Sequence, residues 1–141
     1  MGYGLKRSDL QAMAEAKLQD ANILFANKRN SGAYYLAGYA LEFGLKACIS
    51  RQIGKEVIPD KSFITKVYIH DLAELVKLAG LERDRRELAA KDHQFDSYWG
   101  IAKDWSEQSR YEVKQVADAQ YLLEAILNEK HGVMQWIRKH W

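Results

Sequence analysis

The architecture of the chain is predicted by one stretch, Gly32-Ala-Tyr-Tyr-Leu-Ala-Gly-Tyr-Ala-Leu-Glu-Phe-Gly-Leu-Lys-Ala47. Its side chains are apolar on nearly every side of a helical projection, and a helix that is apolar all round is buried in the core of a protein. We therefore predict a central, buried helix from Gly32 to Arg51, ended by Gly54.

Small side chains form a stripe along one face of this helix. They recur at intervals of four, three, four and three residues, at Ala33, Ala37, Ala40, Gly44 and Ala47, which places them one above another. Such a stripe allows a second backbone to approach closely. The neighbouring helix comes either from the same chain or from a second copy of it.

Apolar residues at helical spacing predict further helices on both sides of the central one. A first helix is expected from Asp9 to Ala26, and a short helix begins at Asp71 and is stopped by Gly80. The charged segment from Glu82 to Lys91 adds at least one helical turn, and a last long helix is expected from Arg110 to Trp136.

Two segments lack this spacing. The stretch from Lys55 to Tyr68 contains Pro59 and several β-branched residues, so we predict a connecting loop there. The passage flanked by Trp99 and Trp105 is expected to be less regular. The predicted fold class is all-α, an antiparallel up-and-down bundle of four to five helices that forms a single domain over residues 1–141.

The composition excludes several classes of protein. The chain has 21 Lys and Arg residues against 19 Asp and Glu, and its net charge of +2 does not by itself indicate a nucleic-acid partner. A single cysteine, Cys48, excludes a disulfide framework and a cysteine-based zinc site. The four histidines have no metal-ligand spacing, so we expect neither a metal ion nor another cofactor.

The amino-terminal residues favour a cytoplasmic protein. No apolar region follows the segment from Met1 to Ser8, so it does not have the pattern of a secretory signal. No apolar run approaches the roughly 20 residues that a membrane span needs. We therefore expect no contact with a membrane.

A second stripe on the central helix is polar. Tyr35, Tyr39, Glu42 and Lys46 follow one another at intervals of four, three and four residues, and so share one face. Glu42 before Lys46 is the favourable order for a salt pair across one helical turn. The stripe is either a structural ion pair under two packed tyrosines or a polar pocket for a ligand that contains a phosphate or a base.

Further segments complete a family resemblance. Four parts of the chain resemble prokaryotic HEPN domains. They are the stretch 32–47, the segments Tyr68-Ile-His-Asp-Leu72 and Leu75-Val-Lys-Leu-Ala-Gly80, and Trp105 followed by Arg110-Tyr111. HEPN stands for the higher-eukaryote and prokaryote nucleotide-binding group. The resemblance spans nearly the whole chain. It implies an up-and-down helical bundle, a homodimer, and a minimal nucleotidyltransferase partner in toxin-antitoxin or phage-defence pairs.

The resemblance also implies a possible enzymatic activity. Many HEPN domains are metal-independent ribonucleases whose motif is an arginine and a histidine with about four to six residues between them, and this histidine exchanges protons with the RNA. Arg110 stands where the arginine of that motif belongs, but Gln115, Val116 and Ala117 occupy the positions of the histidine. The catalytic histidine is therefore missing from its usual place.

Two other histidines are candidates to replace it. His70 would have to turn toward Arg110, whereas its plainer interpretation is a residue ahead of a helix with its ring in a local hydrogen bond. Arg86 and His93 have six residues between them and would share a face if both lay in one helix, although their surroundings are typical of a solvated charged surface. Tyr111 is a candidate acceptor if a nucleotidyltransferase modifies this chain.

Three functions stay open. The chain is a binding module for a nucleotide, RNA or a nucleotidyltransferase, acting without cleavage through a face near Tyr39, Glu42, Lys46, His70 and Arg110. Alternatively it is a metal-independent ribonuclease that uses Arg110 or Arg86 with His70 or His93. The third possibility is a structural homo-oligomer in which the stripe of small residues forms the seam between copies.

Overall fold

The computed structural model describes residues 4–141, and these residues form helices and connecting turns without a strand. Residues 1–3, which begin the segment lacking a secretory-signal pattern, lie outside the described residues. The all-α class is confirmed, but the described residues form eight α-helices and one 3-10 helix instead of the four to five predicted helices. Their bounds are α1 Arg7–Ala26, α2 Asn30–Ser50, α3 Lys61–Val67, α4 Leu72–Leu78, α5 Glu82–Lys91, α6 His93–Lys103, the 3-10 helix Glu107–Tyr111, α7 Val116–Leu127 and α8 Val133–Arg138.

Helix α2 is the central helix, as predicted. It contacts α1, α4, α7, α8 and the 3-10 helix, and its apolar side chains are buried on several faces. Helix α1 packs along it through four buried residues, one helical turn apart, Leu10, Ala14, Leu18 and Ala21. Although α2 is 21 residues long, no helix in the described part of the chain is both long and apolar enough to cross a membrane.

The stripe of small residues on α2 is covered by the chain itself. Its four alanines have no exposed surface, and an ideal Cβ added to Gly44 would lie 2.9 Å from Cγ2 of Ile137 in α8. The close neighbours of the stripe are therefore intrachain. No part of it remains free to form the seam that the structural homo-oligomer requires.

The predicted loop from Lys55 to Tyr68 is wrong in its second half, where α3 forms. Asp60 caps this helix, because its Oδ1 accepts a hydrogen bond from the backbone N–H of Ser62 at 3.3 Å. Phe63 and Val67, four residues apart, are packed against the core. This helix of seven residues therefore combines an N-cap with a pair of apolar side chains on the core.

The single long helix predicted from Arg110 to Trp136 is also wrong, because the chain turns twice in that range. Arg110 lies in the 3-10 helix, and α7 begins only at Val116. The second turn separates α7 from α8, and Oδ1 of Asn128 accepts a hydrogen bond there from the backbone N–H of His131 at 2.9 Å. An ideal Cβ on Gly132 would lie 2.5 Å from the carbonyl oxygen of Asn128, so this tight turn requires glycine.

The region before Trp105 is more regular than predicted. Trp99 lies inside α6, which is capped by Asp92 through a hydrogen bond from the backbone N–H of Phe95 to Oδ1 at 3.0 Å. The predictions for the preceding segment are confirmed. Asp71 caps α4, the positive φ of 72° at Gly80 ends it, and α5 covers Glu82–Lys91.

The variant Gly38→Ala tests the close approach between α2 and the segment that follows α6. A Cβ at residue 38 would overlap the indole ring of Trp105, which is buried. We expect the free energy of unfolding, measured by urea denaturation, to fall by about 2 kcal/mol, because overpacking outweighs the roughly 1 kcal/mol by which alanine favours a helix over glycine.

Gly100→Ala is the matched control. Gly100 lies within α6, and a Cβ there would meet no atom within 4 Å. This variant should be more stable than the wild type by about 0.5–1 kcal/mol, since only helix propensity changes. A Gly38→Ala variant as stable as Gly100→Ala would contradict the prediction.

Candidate functional site

The imidazole of His70 joins two carboxylates that are distant in sequence. Its Nδ1 lies 2.8 Å from Oε1 of Glu42 in α2, and its Nε2 lies 3.1 Å from Oε2 of Glu107 in the 3-10 helix. The Glu42 side chain is only 2% exposed, whereas His70 and Glu107 are 37% and 31% exposed. The ring therefore lies at the edge of the core, with one nitrogen directed inward and the other near solvent.

The start of α4 positions His70. Asp71, the next residue, accepts a hydrogen bond from the backbone N–H of Glu74 at 3.0 Å and so fixes the first turn of the helix. Leu72 and Leu75 are buried, and α4 packs against α2. The expectation of a local hydrogen bond for the His70 ring is wrong, because this packing directs the ring toward Glu42 and Glu107.

Glu42 is shared between His70 and a second cation. Its Oε2 lies 3.0 Å from Nζ of Lys46, one helical turn further along α2, as the spacing predicts. The Lys46 side chain is 11% exposed and borders an apolar cleft of about 340 Å³ whose walls include Phe43, Ile49 and Val67. Thus Glu42 belongs to the core, whereas Lys46 also faces a cleft.

Aromatic rings form a row beside this histidine. The ring of Tyr39 meets His70, Trp105 and Tyr35 edge to face, with centroid distances of 6.0, 5.1 and 5.0 Å. Burial, followed by the neighbouring Tyr35 phenol, raises the pKa of Tyr39 well above its usual value of 10.0. Tyr39 is therefore a neutral hydroxyl at physiological pH.

Arg110 lies at the other end of the aromatic row. It is exposed in the 3-10 helix, and its guanidinium carbon lies 4.7 Å from the ring centroid of Tyr111. The phenol groups of Tyr111 and then Tyr35 raise the pKa of Arg110 above its usual value. Arg110 is thus a permanent positive charge beside Tyr35.

The structure gathers most of the predicted site residues on one side of α2. Tyr35, Tyr39, Glu42, Lys46 and His70 form a continuous series of contacts. Arg110 and Tyr111 extend it along the 3-10 helix through the neighbourhood of Tyr35. The structure shows no hydrogen bond between Arg110 and His70 among the described residues.

Sequence reasoning missed Glu107 as a member of this site. A lone glutamate in a polar segment carries no periodic signal, and its role depends on the position of a ring from another part of the chain. The one available indication is its place between Trp105 and Arg110, two residues that carry the family resemblance.

The alternative pair, Arg86 and His93, is not brought together in one helix. Arg86 lies in α5 and His93 begins α6, and Asp92 between them has an extended backbone with φ −129° and ψ 93°. Nε of Arg86 lies 3.1 Å from Oε1 of Glu82, and both Arg86 and His93 are exposed. The shared helical face on which this pair depended is therefore absent.

Other reactive groups do not add to the site. Burial raises the pKa of the Cys48 thiol to about 12, so it remains protonated and unreactive. Within residues 4–141, no group of three or more His, Cys, Asp or Glu side chains is arranged to hold a metal ion. The chemistry that the site offers is therefore that of one imidazole, two carboxylates, a permanent guanidinium charge and neutral phenols.

No protein-family model, curated protein or solved structure matches this chain.

The variant Glu42→Leu tests how strongly the fold depends on this carboxylate. Removing it leaves the ammonium of Lys46 in a mostly buried position without its partner. We expect the free energy of unfolding, measured by urea denaturation, to fall by about 3 kcal/mol.

The double variant Glu42→Leu with Lys46→Met is the matched comparison. It removes both members of the ion pair and replaces them with apolar side chains of similar length, which proteins tolerate well. It should recover about 1 kcal/mol or more relative to Glu42→Leu alone. A double variant that is no more stable than Glu42→Leu would show that the ammonium of Lys46 does not need this carboxylate.

Proposed function

We propose that this chain is a HEPN-like module that binds single-stranded RNA or a nucleotide through the surface formed by α2, His70 and the 3-10 helix. The observation that carries the proposal is the imidazole of His70, which the buried Glu42 holds at 2.8 Å and which contacts the ring of Tyr39. Three further expectations belong to the same proposal: the antiparallel bundle arrangement, the cytoplasmic location favoured by the sequence, and the toxin-antitoxin or defence setting implied by the resemblance.

The chemistry of this surface suits a ligand that has both phosphates and bases. Arg110 supplies a permanent charge for a phosphate, and Tyr111, at 72% exposure, presents a ring on which a base can stack. Proteins bind unpaired nucleotides with arginine and aromatic side chains placed side by side, because the bases of unpaired nucleotides are free to stack. The overall charge of +2 is small, so a local site is needed for such binding.

Two features favour binding without cleavage. The Glu107 carboxylate covers Nε2 of His70, and Nδ1 is held by the buried Glu42, so an RNA hydroxyl does not reach either ring nitrogen in this arrangement. Gln115, Val116 and Ala117 still stand where the ribonuclease motif would place its histidine, at the junction between the 3-10 helix and α7.

The proposal is tested by fluorescence anisotropy with a labelled single-stranded RNA of about 12 nucleotides. Arg110→Ala should weaken binding about fivefold, since one phosphate contact is lost. AMP added as a competitor distinguishes a nucleotide site from one that needs a longer strand.

Arg83→Ala is the matched control for the loss of one positive charge. Arg83 is exposed on α5 and pairs with Glu87 at 3.0 Å, away from the proposed surface. It should change the affinity less than about twofold. Absence of binding by the wild type to both RNA and AMP would refute the proposal, and an equal loss in the two variants would place the binding surface elsewhere.

A second candidate function is metal-independent RNA cleavage, and one observation favours it. A histidine acts as a general base when a third group orients its ring, and Glu42 orients His70 through Nδ1. Nε2 would then accept the proton of the ribose 2′-hydroxyl once Glu107 has moved away, while Arg110 holds the phosphate.

End-labelled RNA incubated with the protein in EDTA distinguishes this candidate from binding alone. If the chain cleaves RNA, His70→Asn should lower the rate by about a hundredfold or more, since it removes the proton acceptor. His93→Asn is the control and should retain the full rate. No cleavage by the wild type, under conditions in which the RNA is bound, would eliminate the ribonuclease.

Protein partners are a further part of the proposal. The resemblance implies a homodimer and a minimal nucleotidyltransferase, with Tyr111 as the acceptor if the partner transfers a nucleotide. In support, exposed apolar side chains continue from the 3-10 helix into α7, at Tyr111, Val113, Val116 and Tyr121. The buried stripe of small residues on α2 is not available for such contacts.

A further inference from the structure

The two carboxylates that hold His70 differ in how firmly they belong to the fold. Glu42 is buried on the central helix and also binds Lys46, so its position is fixed by two partners. Glu107 is 31% exposed, and its Oε2 lies 3.1 Å from Nε2 of His70. The bond to Nε2 is therefore the one that a competing group from solvent can replace.

The segment that carries Glu107 is incompletely satisfied in its present position. Nε1 of Trp105 and Oγ of Ser109, on either side of Glu107, are buried and have no hydrogen-bond partner among the described residues. A buried donor or acceptor without a partner disfavours the arrangement that buries it. A shift of this segment that restores partners to these atoms would recover part of the cost of releasing Glu107.

A positively charged residue lies on the same short segment as Glu107. The segment is a 3-10 helix, in which side chains three residues apart lie on the same side. Arg110 is three residues after Glu107 and is exposed. Glu107 and Arg110 therefore place opposite charges on one short segment at the edge of the site.

We propose that the carboxylate of Glu107 occupies the position of a ligand phosphate on Nε2 of His70. The 3-10 helix closes the site in this way, and an incoming phosphate displaces the Glu107 carboxylate. The inference rests on the proposed nucleotide or RNA site and adds its regulation. A carboxylate oxygen, which lies 3.1 Å from Nε2 in the structure, and a phosphate oxygen are both anionic acceptors that suit the same imidazole nitrogen. Glu107 is thus an internal competitor that lowers the affinity of the site for phosphate ligands.

The inference is tested with Glu107→Gln, which keeps the size of the side chain and removes its charge. Inorganic phosphate is titrated while the imidazole signals of His70 are followed by NMR, and RNA affinity is measured by anisotropy. Glu107→Gln should bind both probes at least about fivefold more tightly than the wild type, since a neutral amide is a weaker competitor than a carboxylate.

Glu112→Gln is the matched control. Glu112 follows the same 3-10 helix and pairs with Lys114 at 2.7 Å, so its replacement changes the local charge equally without freeing His70. It should alter either affinity less than about twofold. This comparison separates competition at Nε2 from a general gain of positive charge.

The outcomes separate this inference from the proposed function. RNA binding by the wild type with equal affinities in Glu107→Gln and Glu112→Gln overturns the internal competitor and leaves the binding module intact. No RNA binding, but tighter phosphate binding at His70 in Glu107→Gln alone, supports the competitor and refutes the RNA function. No RNA binding and no difference in phosphate binding refutes both.

Discussion

The fold is organised around a buried carboxylate. Glu42 lies in the middle of a helix that is otherwise apolar, and an unpaired charge in such a place would be strongly destabilising. Its two oxygens are satisfied by Lys46 on the same helix and by His70 from the start of α4. Because His70 is distant from Glu42 in sequence, pairing the Glu42 carboxylate also fixes where the start of α4 must lie.

A steric constraint on the same helix positions the third part of the site. Gly38 has no side chain, and the indole of Trp105 occupies the space where a Cβ would lie. The next residue, Tyr39, contacts both Trp105 and His70 through ring edges. The missing side chain at residue 38 thus allows the segment after α6 to approach α2, which brings Glu107 within hydrogen-bonding distance of the His70 ring. Two consecutive residues, Gly38 and Tyr39, thus link the close packing of this segment on α2 to the polar contacts of His70.

The parts of this structure that sequence reasoning predicts are those governed by periodicity. The central helix and the Glu42 to Lys46 pair follow from spacing along one helix. The missed features depend on contacts between distant segments or on a single turn. Asn128 and Gly132 divide the last helix through local hydrogen bonds and a tight backbone that helical propensity does not reveal. The sequence also does not reveal the partners of His70, because helix packing decides which carboxylates lie near its ring.

The hydrogen-bonding capacity of imidazole gives the two carboxylates different roles. A neutral ring has one donor nitrogen and one acceptor nitrogen, so it can donate to only one carboxylate, whereas the protonated ring donates to both. In the neutral form the proton belongs on Nδ1, because the buried Glu42 needs a donor more than the partly exposed Glu107 does. In that form Nε2 offers no proton to Glu107, so the neutral ring holds this carboxylate less firmly than it holds Glu42. The contact to Glu42 therefore persists in both forms of the ring, while the contact to Glu107 depends on the second proton. One histidine thus makes one permanent bond for the fold and one conditional bond at the surface.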